Sequence, residues 1–322
     1  MRVGTVSLFL LFHHLLSGQF APGAGLPGSA AIPEDSPEFQ AWAQEIRVVR
    51  GYQQLNDTTL GRASFGNVEE GLGAPDQKVV SLGDAGMATL IFDPPIANGP
   101  GFDFAVFENG FPAADGYFLE LAFVEVSSDG EYFQRFPAES LTNTLVQVGA
   151  FDLLQAENLD NLAGKYESGF GTPFDLEELP EDARIDPAHI THVRLVDVVG
   201  ALDSAIARRD SQGRKINDPW PTGFESSGFD LDAVGAIHLA SPTSLRNVRP
   251  PDFRIFPNPA HRGNRVWIRP GHRRILIHSM DGNVVFRGQV GEWLETGSWA
   301  AGIYLVSEIG SNTRPFKWVI IP

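Results

Sequence analysis

Residues 98–110 read NGPGFDFAVFENG. Asp103 opens and Glu108-Asn109 closes a short run whose apolar residues alternate, and glycines flank it. A carboxylate at each end of a buried strand needs a partner, because an unpaired buried charge is costly. Carboxylates, an amide and carbonyls freed at glycines are the oxygen donors that a calcium ion gathers, about six to eight at flexible geometry. A second stretch, GFDLDAVGAIH (228–238), sets Asp230 and Asp232 two apart. Strand alternation then predicts both on one face, with Leu231 and Ala233 on the other. In a third, DSQGRKIND (210–218), Asp210, Gly213 and Asp218 follow part of a calcium-loop spacing. Asp103, Glu108, Asn109, Asp230, Asp232, Asp210 and Asp218 are therefore the expected Ca2+ ligands. The competing reading is that they are turn residues hydrogen-bonded to their own backbone.

Aromatic residues beside glycine and proline turns are the second group with chemical potential. Phe111, Tyr117, Phe170 and Trp220 are expected to line a ligand surface. Trp220, framed by Pro219 and Pro221, has the flat face needed to stack on a sugar, or else anchors its loop to the core. Catalysis has little support, and no catalytic residue is assigned. The chain lacks a G-x-S-x-G elbow, an H-E-x-x-H zinc helix and a G-x-x-x-x-G-K phosphate loop. A glycosidase needs two facing carboxylates, and Glu108 with Glu120 or Glu125 would be such a pair. Any acidic β-domain offers pairs of that kind.

The elements that must position these residues read as β. Short apolar runs at 79–82, 88–92, 103–108, 117–127, 131–136, 191–199 and 229–239 are separated by Gly/Pro turns, without strand–helix alternation. The 79–82 and 88–92 runs read as a hairpin about Gly83–Gly86, and Asp129-Gly130 turns a second hairpin. Ser36 and Pro37 suggest one short helix, and 140–187 reads as long loops with a helical turn near 151–162. The pattern predicts an all-β, jelly-roll-like antiparallel β-sandwich, followed by a small immunoglobulin-like β-sandwich.

Composition sets the limits. The 322 residues carry a formal net charge of −16, spread unevenly. From Asp252 onward there are 9 Lys+Arg and 5 Asp+Glu, leaving 15 and 35 in the preceding part. That acidic body repels phosphate backbones, which argues against nucleic-acid binding, and welcomes a divalent cation or a cationic ligand. The absence of cysteine excludes disulfides, thiolate metal sites and thiol catalysis. Arg2, the apolar stretch Val3–Leu16 and the small residues after it have the layout of a secretory signal peptide. No later stretch is long enough to span a membrane as a helix, so no transmembrane segment is expected in the mature chain.

Residues 252–322 resemble the type A sorting domain of the Bacteroidota type IX secretion system. Phe256-Pro257-Asn258-Pro259-Ala260, the turn at Asp281-Gly282 and Ala301-Gly302-Ile303-Tyr304-Leu305-Val306 carry the likeness. The terminal Trp318–Pro322, preceded only by Lys317, departs from the family's basic ending. The resemblance implies export through the periplasm to the type IX translocon and an extracellular or outer-membrane location. It makes Pro257, Asn258, Pro259, Gly302 and Tyr304 sorting residues. The body resembles an uncharacterised family of bacterial secreted or surface proteins through GLGAPD (71–76), NGPGFDFAVFENGF (98–111) and NDPWPTGFESSGFDLDAVGAIH (217–238). The Asp-rich strand is similar to calcium-ligating strands of carbohydrate-binding jelly rolls.

The expected layout is thus a signal peptide (1–19), a leader (20–45), a binding domain (46–241), a linker (242–251) and a sorting domain (252–322). The expected function is non-catalytic binding of an extracellular ligand: a glycan, or a scarce nutrient such as a corrinoid. The alternatives are a polysaccharide hydrolase and a structural surface-layer component.

Overall fold

The computed structural model describes residues 20–240, 253–269, 273–309 and 315–322. The expected signal peptide and linker lie outside them. The chain divides into two compact units after Ala240, close to where the charge balance changes sign. Among the described residues, helical structure is limited to four short 3-10 turns, so the protein is all-β.

The first unit is a sandwich of two antiparallel sheets. Its strands in chain order are β1 (Ile32–Pro33), β2 (Ala41–Trp42), β3 (Glu45–Val49), β4 (Val80–Ser81), β5 (Met87–Ile96), β6 (Phe104–Glu108), β7 (Phe111–Ala113) and β8 (Gly116–Phe118). Then follow β9 (Ala122–Ser127), β10 (Gln134–Arg135), β11 (Glu139–Ser140), β12 (Leu159–Asp160), β13 (Leu162–Ala163), β14 (Phe170–Phe174), β15 (Ile190–Asp197) and β16 (Asp230–Ala236). One sheet runs β1-β14-β6-β16-β2, with β4 also on β16; the other runs β10-β9-β15-β5-β3, with β13 also on β9. Between them lies an apolar core of Phe104, Val106, Leu231 and Val234 from one sheet and Leu90, Val124, Val126, Val193 and Leu195 from the other. Strand β5 alternates buried and half-buried residues, whereas β6, β9 and β16 are buried on both faces. The outer face of β6 is covered by Phe39 and Trp42, whose rings lie 5.6 Å from Phe107.

Three local expectations change. The leader is part of the body: Phe20 N donates to Glu157 O at 3.2 Å, and β1 pairs with β14. Its Gly/Pro content makes turns that carry Ile32 into the outer apolar cluster with Phe107 and Ala233. The helix expected after Ser36 is replaced by β2, which pairs with β16 so that Trp42 faces Gly235. The hairpin at Gly83–Gly86 is instead a crossover, because β4 pairs with β16 in one sheet and β5 joins β3 and β15 in the other. The backbone there is tightly packed; a Cβ on Gly51 would fall 2.1 Å from Asp84 O. The second hairpin forms as expected: β9 pairs with β10, and the Asp129 carboxylate accepts from Glu131 N and Tyr132 N in the turn. The helical turn near 151–162 is the 3-10 turn Ala156–Asn158.

The second unit contains β17 (Arg254–Phe256), β18 (Ala260–His261), β19 (Arg265–Arg269), β20 (Arg273–Ser279), β21 (Val284–Val290), β22 (Trp293–Glu295), β23 (Gly302–Glu308) and β24 (Phe316–Ile321). They form sheets β17-β19-β22 and β18-β24-β23-β20-β21 around Phe253, Ile268, Ile277, Tyr304 and Trp318. Gly282 turns the β20–β21 hairpin at φ +84°, where a glycine is favoured.

Candidate functional site

Strand alternation builds the site. Four rows of inward side chains each end in a carboxylate. They are Val80-Leu82-Asp84, Phe104-Val106-Glu108, Val124-Ala122-Glu120 and Val193-Leu195-Asp197, whose apolar members all lie in the inter-sheet core. Asp84, Glu108, Glu120 and Asp197 are all buried. With Asp218 and Asp230 they form one mutually interacting acidic group, opposed by Arg208 near Asp84 and Asp197 and by Arg50 near Asp230.

Most of these acids do structural work. Asp197 accepts from Ala85 N and Phe229 N, both at 2.8 Å, and Asp218 accepts from Leu121 N at 2.9 Å. Asp84 accepts from Leu55 N at 2.7 Å and from the Trp220 indole at 3.1 Å. Asp230 accepts from the Ser81 hydroxyl and from Asn109 Nδ2. Two acids are left over. Glu108 Oε2 accepts from Gly110 N at 2.7 Å, but Oε1 is buried without a partner. Among the described residues Glu120 accepts no side-chain hydrogen bond, although it is only 6% exposed. A buried polar atom left unpaired is rare and calls for an explanation.

Electrostatics follow from this crowding. Burial first, and then Asp230, holds Glu108 and Glu120 well above the ordinary carboxylate range. Burial, and then Asp197, does the same for Asp218. Burial and Asp84 push Asp197 up to about 8, and burial raises Asp230 to about 6. Neighbouring like charges and low-dielectric surroundings both favour the protonated form of an acid.

A cavity of about 230 Å³ in the body opens onto this group. Glu120, Asp230 and Asn109 lie in its wall beside Phe111, Phe118, Phe151 and Phe224. Phe111 and Phe118 stack at 4.9 Å from the β7–β8 hairpin, and Phe151 and Phe224 approach to 5.7 Å from two loops. Phe151 is 74% exposed, a large apolar side chain left in water. Two further cavities of the body differ in character. A groove of about 550 Å³ is walled by loop residues such as Leu179, Pro180 and Asp182, with no aromatic ring. A recess of about 210 Å³ holds Lys165, whose ammonium is lowered to about 8 by burial.

The seven expected calcium ligands do not converge. Asp103 sits at the opposite end of β6, roughly 16 Å from Glu108 at ~3.3 Å per strand residue. There its carboxylate accepts from Gly99 N and Leu176 N and meets His238 Nδ1 at 2.9 Å. Asp232 is the extra residue of a bulge, since β16 shifts register against β6 between Leu231 and Ala233. Leu231 therefore faces the inter-sheet core and Ala233 the outer cluster, and the two-apart rule fails there. The Asp232 oxygens accept from Asp76 N and Gln77 N, both at 3.1 Å. Asp210 clamps its own turn and Arg214, while Asp218 is buried in the acidic group, so the two carboxylates of the 210–218 segment are engaged separately. Glu108, Asn109 and Asp230 do come together. Among the described residues, no set of three or more His, Asp or Glu side chains is arranged to hold a metal ion.

The expected ligand-binding aromatics divide similarly. Phe111 lines the pocket. Trp220 is half-buried and anchors its loop through Asp84 and through Val148 O. Tyr117 lies against Gly23, and Phe170 pairs with Pro33 across β14–β1, so neither faces the pocket. Reading by type missed Phe118 and Phe151 as part of the rim and Asp84 and Asp197 as members of the acidic group, whereas Phe224, like Phe111, is an aromatic beside a turn. The signal was present as an acid continuing the period-2 apolar row of each strand. Glu125, the other proposed partner of Glu108, is ion-paired with Arg135 at 2.7 Å and with Arg194.

In the second unit, Asn258 donates to Lys317 O at 3.0 Å and accepts from Val319 N at 2.9 Å, fastening the 256–260 segment to β24. The Tyr304 hydroxyl donates to Ala300 O at 2.7 Å within an aromatic group with Trp299 and Trp318. Pro257, Pro259 and Gly302 are exposed. No protein-family model and no curated protein matches the chain.

Proposed function

We propose that this chain is a non-catalytic binding protein of the cell surface, whose body takes an extracellular ligand in the phenylalanine-rimmed pocket and whose second unit directs export through the type IX route. One observation carries the reading: four phenylalanines line the same pocket as a buried carboxylate, Glu120, that has no hydrogen-bond partner among the described residues. Concave, mostly apolar sites with a few placed polar groups are where small ligands bind. The export half rests on the likeness of 252–322 to sorting domains and on the signal-like start of the chain.

A hydrolase finds less support. Glu108 does not line the pocket, and Glu125 is held by two arginines. Calcium enters this reading as a competitor for the Glu108, Glu120 and Asp230 carboxylates. The test is a ligand array of glycans, corrinoids and small metabolites on the purified protein, repeated with Phe111→Ala/Phe224→Ala. Any ligand of the pocket is expected to lose at least ~tenfold in affinity, the scale of a lost aromatic contact at a binding centre. Hits that bind the double variant unchanged would place the binding site elsewhere.

A further inference from the structure

The chemistry of the pocket wall narrows the ligand, granted the reading above that this is the binding site. Its ionisable groups are acids alone, Glu120 and Asp230, with Glu108 behind them. Among the described residues no donor reaches the Glu120 carboxylate, and Glu108 keeps one bare oxygen, Oε1, while its Oε2 accepts from Gly110 N. The protein has thus buried acceptors and left the donors to be supplied from outside. The rim offers ring faces, which attract a desolvated cation and also cover an apolar stem.

We propose that the pocket binds a compact organic ammonium ion, its N–H groups donating to Glu120 and Asp230 and its carbon stem held among Phe111, Phe118, Phe151 and Phe224. Size sets the upper limit. About 230 Å³ falls below the ~300–1,000 Å³ usual for ligand pockets, so the buried group is small even if it belongs to a larger molecule. A hard metal ion fits less well. Asp230 already accepts from Ser81 and Asn109, no three carboxylates among the described residues are arranged to hold a metal ion, and hydrated metals gain nothing from four phenyl rings.

Binding should be coupled to protons. Glu120 is faced by Glu108 from β6, Asp230 from β16, Asp197 from the end of β15 and Asp218 from the loop before β16. Arg50 acts on Asp230, and Arg208 on Asp84 and Asp197. Six acids against two arginines keep the protons on the glutamates when the pocket is empty, and an entering ammonium displaces them. Affinity therefore rises with pH while the amine stays protonated.

Calorimetry on the full mature chain tests this with an isosteric pair, cyclohexylammonium and cyclohexanol, with CaCl2 as a third probe. The expected result is at least ~tenfold preference for the ammonium, the scale of a charge-assisted hydrogen bond. Its affinity should rise between pH 6 and 8, with heats that scale with the ionisation enthalpy of the buffer. Glu120→Gln, checked for an unchanged circular dichroism spectrum, should abolish the preference, whereas Phe111→Ala/Phe224→Ala should weaken both organic probes. If cyclohexanol binds equally well and needs Phe111 and Phe224, the pocket stands and the ammonium inference falls. The inference also falls if CaCl2 binds in a Glu120-dependent way and expels the ammonium. If the ammonium binds but ignores both variants, the pocket itself is wrong, and no ammonium binding at all sinks the inference outright.

Discussion

At the scale of single residues, burial raises a group of the body's acids above the ordinary carboxylate range, and this sets an unusual pH dependence. Asp197 is raised from the ordinary 3.8 to about 8, and Asp230 and Asp232 to about 6, in each case mainly by burial. An acid whose folded pKa lies above its unfolded value stabilises the fold fully below the unfolded value, and that contribution is lost as pH rises through the folded one. Stability should therefore decline from about pH 4 to 6 through Asp230 and Asp232, and on to about pH 8 through Asp197. Glu108, Glu120 and Asp218, which burial also holds high, add to the fall. Thermal melts of the body across pH 4–8 check this. Asp197→Asn keeps an acceptor for Ala85 N or Phe229 N while removing one titration, and should make the fall above pH 6 shallower. A melting temperature that climbs over pH 6–8 in both proteins would contradict the argument.

At the scale of elements, the sandwich was legible in the sequence because alternation and Gly/Pro punctuation are local signals. The 103–108, 117–127, 191–199 and 229–239 runs lie where β6, β9, β15 and β16 form. The failures were non-local. Nothing near Gly83–Gly86 announces that β4 and β5 enter different sheets, and the bulge at Asp232 arises only from pairing with β6. The site was half legible for the same reason: each terminal acid sits on a readable row, but residues 84, 108, 120, 197 and 230 meet only once the sheets are stacked. The connection after β13 shows how closely the backbone frames Glu120. Gly164 has φ +81°, and a Cβ there would fall 1.9 Å from Glu120 O. Gly164→Ala should destabilise the body by about 1–3 kcal/mol, the range for a strained backbone position. It should also weaken pocket ligands by moving the segment that carries Glu120. Denaturant titration and calorimetry on the same variant read both effects, and a neutral result in both would mean that this approach is easily relaxed.

At the scale of the whole molecule, the two units differ in core and in charge. The first has its own core between two sheets and carries the acidic excess; the second has a separate core and is basic. Apolar clusters that share no residue give each unit its own folding free energy, since burial of apolar area is the dominant favourable term. A chain ending at Ala240 should thus keep the body's melting transition within the few degrees that ~1 kcal/mol represents for a domain of this size. On the export proposal the same truncated chain, produced in a bacterium with a type IX translocon, should accumulate in the periplasm, because the segment fastened by Asn258 to β24 is gone. The two readouts separate the roles of the second unit. A body that melts far below the full-length transition would make that unit part of the body's stability. A truncated body that still reaches the cell surface would remove its sorting role. A stable body retained inside the cell is the expected result, and it would leave the pocket as the part of the molecule on which selection for ligand acts.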